Sequence, residues 1–261
     1  MITTLFFDLD DTLLWDKKSI EMAFQATCQH VKELDPNVLE QAVRNEARKL
    51  YESYPTYPFT QMIGINPFEG LWGTFNDAGE DFEKMYQLMP EYQKAAWTNG
   101  LKACGIDNPT LGDTLAKQFI KERLNHPYVY PETFDVLDQL KDKYQLLLLT
   151  NGAPSLQNTK LTLTPEIAER FNHIVISGDF GRGKPDPGIF EYALNIANVT
   201  AEEVIMIGDN LMTDILGANR TGIKNIWINH HKQTADNVIP TYQVDRLKEI
   251  IPIIESISRQ K

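Results

Sequence analysis

Three aspartates, Asp8, Asp10 and Asp11, stand within four positions at the end of an apolar run, TTLFFDLDDTLL. A carboxylate at a strand tip is placed to act as a nucleophile, which splits one difficult displacement into two easier ones. Asp10, two residues on, points to the same side of an extended chain as Asp8. From there it can protonate a leaving alcohol and then activate water. Crowded carboxylates raise one another's pKa and repel an anionic substrate unless a cation intervenes. A hard divalent ion held by oxygen ligands, such as Mg²⁺, meets that need. Asp11 reads as turn chemistry, and Thr12 as a hydroxyl that orients the loop.

Other residues that could share a site lie far along the chain. Thr150-Asn151-Gly152 closes the apolar run YQLLLLTNG, Lys184 lies in GRGKPDPGIF, and Asp209 ends VIMIGDN with Asp214 five residues on. What brings them together must be the fold. ITTLFFDL is too short for a helix and rich in β-branched and aromatic residues, as expected of a strand buried on both faces. After Pro131 the pattern alternates. ETFDVLDQLKDK is an amphipathic helix, YQLLLLTNG a strand, HIVISGDF a strand, DPGIFEYALNIAN a helix, VIMIGDN a strand, LMTDILGANRTG a helix and KNIWINH a strand. Thr200 and Glu203 form a capping-box pattern ahead of VIMIG, and Gly222 suits a left-handed helix end. A last helix is expected over residues 244–257, with Pro252 as a kink or break. Strands alternating with helices predict a Rossmann-like, doubly wound parallel α/β sheet. Such sheets bind ligands at the carboxyl ends of their strands, where all the residues named above would converge.

Between these parts the pattern differs. SIEMAFQATCQHVKEL and PNVLEQAVRNEARKLYESY carry helical spacing, as does the region from Ala95 to Leu124, interrupted at Gly100, Gly105 and Pro109. YPTYPFTQMIGINPFEGLWGTF reads as loop or short irregular helices. No strand is expected there. The chain therefore divides into an α/β core, residues 1–15 and 129–261, and an inserted α-helical domain, residues 16–128.

Taken in order, DLDDT, LLTNG, GKPDPGIF and IGDNLMTD resemble the four motifs of the haloacid dehalogenase-like (HAD) hydrolase superfamily. A lone Asp-x-Asp-x-Thr is a weak signal; four motifs in order, each at a strand end, are a strong one. The insertion resembles the family's C1 helical cap. The resemblance implies a Mg²⁺-dependent phosphatase. Asp8 would attack phosphorus to give an aspartyl phosphate, and Asp10 would serve as acid and base. Asp8, Asp209 and the Asp10 carbonyl would hold the metal, with Asp214 completing its shell through water or orienting Lys184. Thr150 and the Asn151 amide would hold a phosphoryl oxygen, and Lys184 would supply fixed positive charge, since phosphoryl transfer depends mostly on positioning and charge stabilisation. A phosphomutase of the same fold would hand the phosphoryl group to a second hydroxyl. A haloacid dehalogenase needs no proton donor for a halide and typically lacks the second aspartate, so Asp10 favours a phosphate ester. A noncatalytic phosphate-binding member would lack a nucleophile or metal ligand, and neither is missing.

Composition narrows the partners. The 261 residues carry a formal net charge of −11, a surface that repels the phosphate backbone and disfavours nucleic-acid binding. The expected partner is a small phosphorylated metabolite selected by residues 16–128. No apolar run is long enough to span a bilayer, and no secretion signal is read at the N-terminus. Cys28 and Cys104, the two cysteines, read as small buried apolar residues in a reducing, cytoplasmic compartment. His230-His231 reads as a solvated pair.

Overall fold

Thr4–Phe7 forms the first strand, β1, with all four side chains buried. In the computed structural model it is the centre of the sheet. The structure describes residues 1–235 and 237–259; Asp236, Gln260 and Lys261, which the sequence division placed in the core, lie outside the described residues. The other strands are β2 (Gln145–Thr150), β3 (His173–Ile176), β4 (Val204–Gly208), β5 (Lys224–Ile228) and β6 (Tyr242–Val244), in the order β3-β2-β1-β4-β5-β6. Every pairing is parallel. β1 pairs with β2 through Phe7↔Leu148 and with β4 through Phe7↔Ile207, so the loops after all three strands open on one edge.

The sheet is covered on both faces, as its near-continuous apolar strands require. Phe6, Leu147, Leu149 and Met206 pack with Ile189, Phe190 and Ala193 of helix Pro187–Ala197. Leu5, Phe7, Leu146 and Leu148, which alternate with them, are also fully buried. Asp186 caps that helix by accepting a hydrogen bond from Gly188 N at 2.8 Å, and Pro187 stands at its first position, where no amide is needed.

The chain divides into two compact units. One holds residues 1–15, 129–152 and 164–261; the other holds residues 16–128 and 153–163. The sequence division kept 153–163 in the core. Instead helix Pro154–Leu163 packs with the helical unit, for three local reasons. Ala153 and Leu156 join its apolar cluster. Ser155 N and Oγ each donate to Asp77 at 2.6 Å. Lys160 Nζ, almost wholly buried, donates to Glu69 at 2.8 Å.

Among the described residues the helical unit contains no strand. Its longest helices are Pro36–Ser53, Glu80–Ala103 and Pro109–Asn125. Gly100, read as an interruption, lies inside the second. A Cβ there would fall 2.9 Å from Val43 Cα and 3.0 Å from Val43 N, so glycine lets helices Pro36–Ser53 and Glu80–Ala103 touch backbone to backbone.

The end of the chain also differs from expectation. Tyr242–Val244 is an edge strand, and the last helix runs Ile250–Arg259. Pro252 does not kink it, because it lies in the first turn, where amides have no intrahelical acceptor. The three-residue edge strand escaped notice because two of its side chains face solvent and its pattern is too short to read.

Candidate active site

β1 delivers Asp8 to the sheet edge. Its amide still belongs to the ladder, donating to Ile207 O at 2.9 Å, while its side chain stands beyond the paired residues. The chain then turns sharply. Leu13 N and Leu14 N both return to Leu9 O at 2.9 Å, and Asp11 takes a left-handed φ of 59°. Aspartate tolerates that region better than most residues, in keeping with its reading as a turn residue. Thr12 is fully buried beneath the loop. Its hydroxyl donates to Asp8 Oδ2 at 3.2 Å and accepts from Asp209 N at 3.1 Å. One threonine thus ties the loop after β1 to the loop after β4.

β4 ends at Gly208, and the chain passes through Asp209 into a wide π turn, Leu211–Ile215. Sequence periodicity suggested a regular helix here. The wider turn, a form that concentrates at functional sites, carries Asp214 back under the loop to full burial. Asp214 Oδ2 accepts from Asn210 N at 3.0 Å. A Cβ on Gly208 would sit 2.2 Å from that same oxygen, so only glycine admits the carboxylate.

Lys184 joins the two carboxylates. Its Nζ donates to Asp8 Oδ1 and to Asp214 Oδ1, both at 2.7 Å, with the lysine 4% exposed. Asn151 fixes the lysine's backbone: Asn151 Nδ2 donates to Lys184 O at 2.9 Å, and Lys184 N donates to Asn151 Oδ1 at 2.8 Å. Sequence reasoning assigned Asn151 an amide for the substrate and gave no sign of this clamp, because the partners lie 33 positions apart. Thr150 ends β2 and is buried. Gly152, at φ 143°, turns the chain away and donates its amide to Ser177 Oγ at 2.8 Å.

Electrostatics follow from this packing. Burial pushes the Asp8 carboxyl up to about 7; Lys184 opposes the rise, and the negative charge of Asp214 reinforces it. Burial alone would lower Lys184, but the charges of Asp214 and Asp8 outweigh it and hold the ammonium above the ordinary lysine value. One lysine therefore serves two carboxylates, with Asp209 adding a third close by. Carboxylate oxygens of Asp8, Asp209 and Asp214 lie within 4.8 Å of one another. Three hard oxygen donors carrying excess negative charge suit a divalent cation such as Mg²⁺. Asp10 contributes no carboxylate to that group.

Near this edge one residue was not anticipated and another was misread. Trp227 Nε1 donates to Asp209 O at 2.8 Å and holds the carbonyl of the loop after β4. His230 is not a solvated residue: it is half-buried and stacked on Tyr130, with ring centroids 4.5 Å apart. His231 is exposed, as expected.

Residues 2–222 match the model of the haloacid dehalogenase-like hydrolase family. The chain belongs to that family. It is similar to the phosphoserine phosphatase of Thermus thermophilus, with 31% identity over 248 residues that cover 94% of this chain and 96% of that one. Its fold is similar to the crystal structure of a magnesium-bound HAD hydrolase, YfnB, from Bacillus subtilis, with a TM-score of 0.69, 22% identity and coverage of 97% and 98%. It is also similar to that of a 2-haloacid dehalogenase from Pseudomonas syringae, with a TM-score of 0.60, 22% identity and coverage of 98% and 99%. HAD hydrolase membership thus rests on residues 2–222 and on a relative matched over 94% of this chain. Among the described residues no helix is long and apolar enough to cross a membrane.

Proposed function

We propose that this HAD hydrolase is a Mg²⁺-dependent phosphatase that cleaves phosphate monoesters of small metabolites in the cytoplasm. The observation that carries the reading is the convergence of Asp8, Lys184, Asp209 and Asp214 at the carboxyl edge of the sheet. Asp8 attacks phosphorus, giving an aspartyl phosphate and the leaving alcoholate. Asp10 protonates that oxygen as it departs, then takes a proton from the water that cleaves the acyl phosphate. Thr150 and the Asn151 amide hold phosphoryl oxygens. The Lys184 ammonium stays fixed beside Asp8 and offsets charge on the transferring group. Asp8, Asp209, Asp214 and the Asp10 carbonyl would hold Mg²⁺. When bound, the cation supplies positive charge that keeps Asp8 ionised and allows an anionic substrate to approach.

The helical unit acts as the cap that selects the leaving group, since the core groups recognise only phosphate. Phosphoserine phosphatase activity in a relative 31% identical to this chain supports a phosphate ester as substrate. Dehalogenases share the fold, but Asp10 favours the ester, because a halide leaves without a proton.

The test is release of p-nitrophenol from p-nitrophenyl phosphate by the purified protein. Turnover should require Mg²⁺ and be lost in Asp8→Asn, while Asp10→Asn should retain phosphate binding and turn over far more slowly. Full turnover by Asp8→Asn would remove the nucleophile.

A further inference from the structure

His230 has no part in the chemistry proposed above, yet it is built into its place. Asn229, 3% exposed, closes the loop after β5: Asn229 Nδ2 donates to Gln233 O at 2.9 Å, and Gln233 N donates back to Asn229 Oδ1 at 2.8 Å. Asn229 N also donates to Val244 O at 2.8 Å, tying the loop to β6. This short, doubly bonded turn presents the His230 ring at the sheet's carboxyl edge.

The ring lies on Tyr130 at 4.5 Å and 15°. Tyr130 in turn stacks on Trp15 at 5.1 Å and 11°. Tyr130 therefore stacks on both rings and links His230 to Trp15. Trp15 and Tyr130 are not ordinary surface aromatics. Trp15 is the last residue before the chain leaves the α/β unit, and Tyr130 is the second after it returns. The two crossings form a small ribbon: Leu14 and Val129 make an antiparallel bridge, Tyr130 N donates to Leu13 O at 3.2 Å, and Thr133 Oγ1 donates to the same carbonyl at 2.8 Å.

A ribbon of two short strands is marginal by itself. Its hydrogen bonds tie its strands to each other, whereas the stack ties them to β5. β5 also holds the loop carrying Asp209, through Trp227 Nε1.

We propose that His230 is a positioning residue: its ring clamps Tyr130, and with it both crossing strands, onto the sheet edge at the end of β5. The clamp does not depend on the phosphatase reading. A flat ring is what the position requires, so another aromatic should serve and an aliphatic stub should not.

Amide hydrogen exchange on the full-length protein without metal tests this. In His230→Ala, peptides covering residues 13–15 and 129–131 should exchange roughly fivefold faster, the effect of losing one aromatic pair. Exchange in β4 should be unchanged, which separates loss of the clamp from general destabilisation. His230→Phe should restore protection. Trp15→Leu, which removes the other ring stacked on Tyr130, should give the same local pattern. Unchanged linker exchange in His230→Ala, or His230→Phe exchanging as fast as His230→Ala, overturns the proposal. If the exchange results hold but the wild-type protein leaves p-nitrophenyl phosphate intact, the clamp stands and the phosphatase reading falls.

Discussion

Gly208→Ala tests the packing of the site most directly. The added methyl would meet Asp214 Oδ2 at 2.2 Å, Cγ at 2.4 Å and Cβ at 2.6 Å. Ordinary carbon contacts begin near 3.5 Å, so the carboxylate must withdraw by about 1 Å or more. It has nowhere to go without loss. Asp214 is fully buried, and its two oxygens are held by Lys184 Nζ at 2.7 Å and Asn210 N at 3.0 Å. A shift of that size breaks at least one of these bonds. Overpacking a core costs about 1–3 kcal/mol, and breaking a buried ion pair about 3–5 kcal/mol. Partial relaxation should leave a loss of about 2–4 kcal/mol. Urea denaturation without Mg²⁺ measures it, so the cation's own contribution does not enter. The companion measurement is Gly208→Ala in an Asp214→Gly background, where Oδ2, Cγ and Cβ are all gone and the same methyl should cost less than about 1 kcal/mol. A loss below about 1 kcal/mol in the wild-type background, or an equal loss in both, would refute the reasoning.

Other outcomes follow from the same structure. Lys160→Met leaves Glu69 charged and buried in the helical unit, so that unit should lose about 3–5 kcal/mol in thermal or urea unfolding; a loss under about 1 kcal/mol would mean the pair is not buried. Arg170 and then Lys141 hold the Asp138 carboxyl down to about 2 from an ordinary 3.8. Its stabilisation is therefore present above 3.8 and fades as pH falls through about 2. Asp138→Asn should lower the melting temperature at pH 6, with a gap that narrows towards pH 2; a gap independent of pH would contradict the pairing. Burial pushes the Cys28 thiol up to about 12, so a thiol reagent at pH 8 should leave it unmodified until the chain unfolds, as mass spectrometry of labelled peptides can show.

The strands from β1 to β5 could be read from the chain because a buried parallel strand leaves a short, largely apolar run. Asp8 and Asp209 were legible because each directly follows such a run, Lys184 and Asp214 because they lie in the motifs beyond β3 and β4, and the parallel sheet was enough to predict that they meet. The helical insertion was legible from its 3.6-residue spacing. Gly100 was misread because a glycine chosen for helix contact looks, in sequence, like one chosen to end a helix.

What tertiary structure alone decided is which groups share a partner. The local pattern placed Asp8 at a strand end and Asp214 a few residues past another, but not that one buried lysine would bridge them. Nor could it show that Asn151 holds that lysine's backbone across 33 positions, or that helix Pro154–Leu163 belongs with the helical unit. His230 looked like a solvated residue because its stacking partners, Tyr130 and, beyond it, Trp15, lie 100 and 215 positions away. Backbone periodicity is a local property written residue by residue. A shared proton donor or a stacked ring depends on distances between distant segments, which are fixed only when the whole sheet has closed around them.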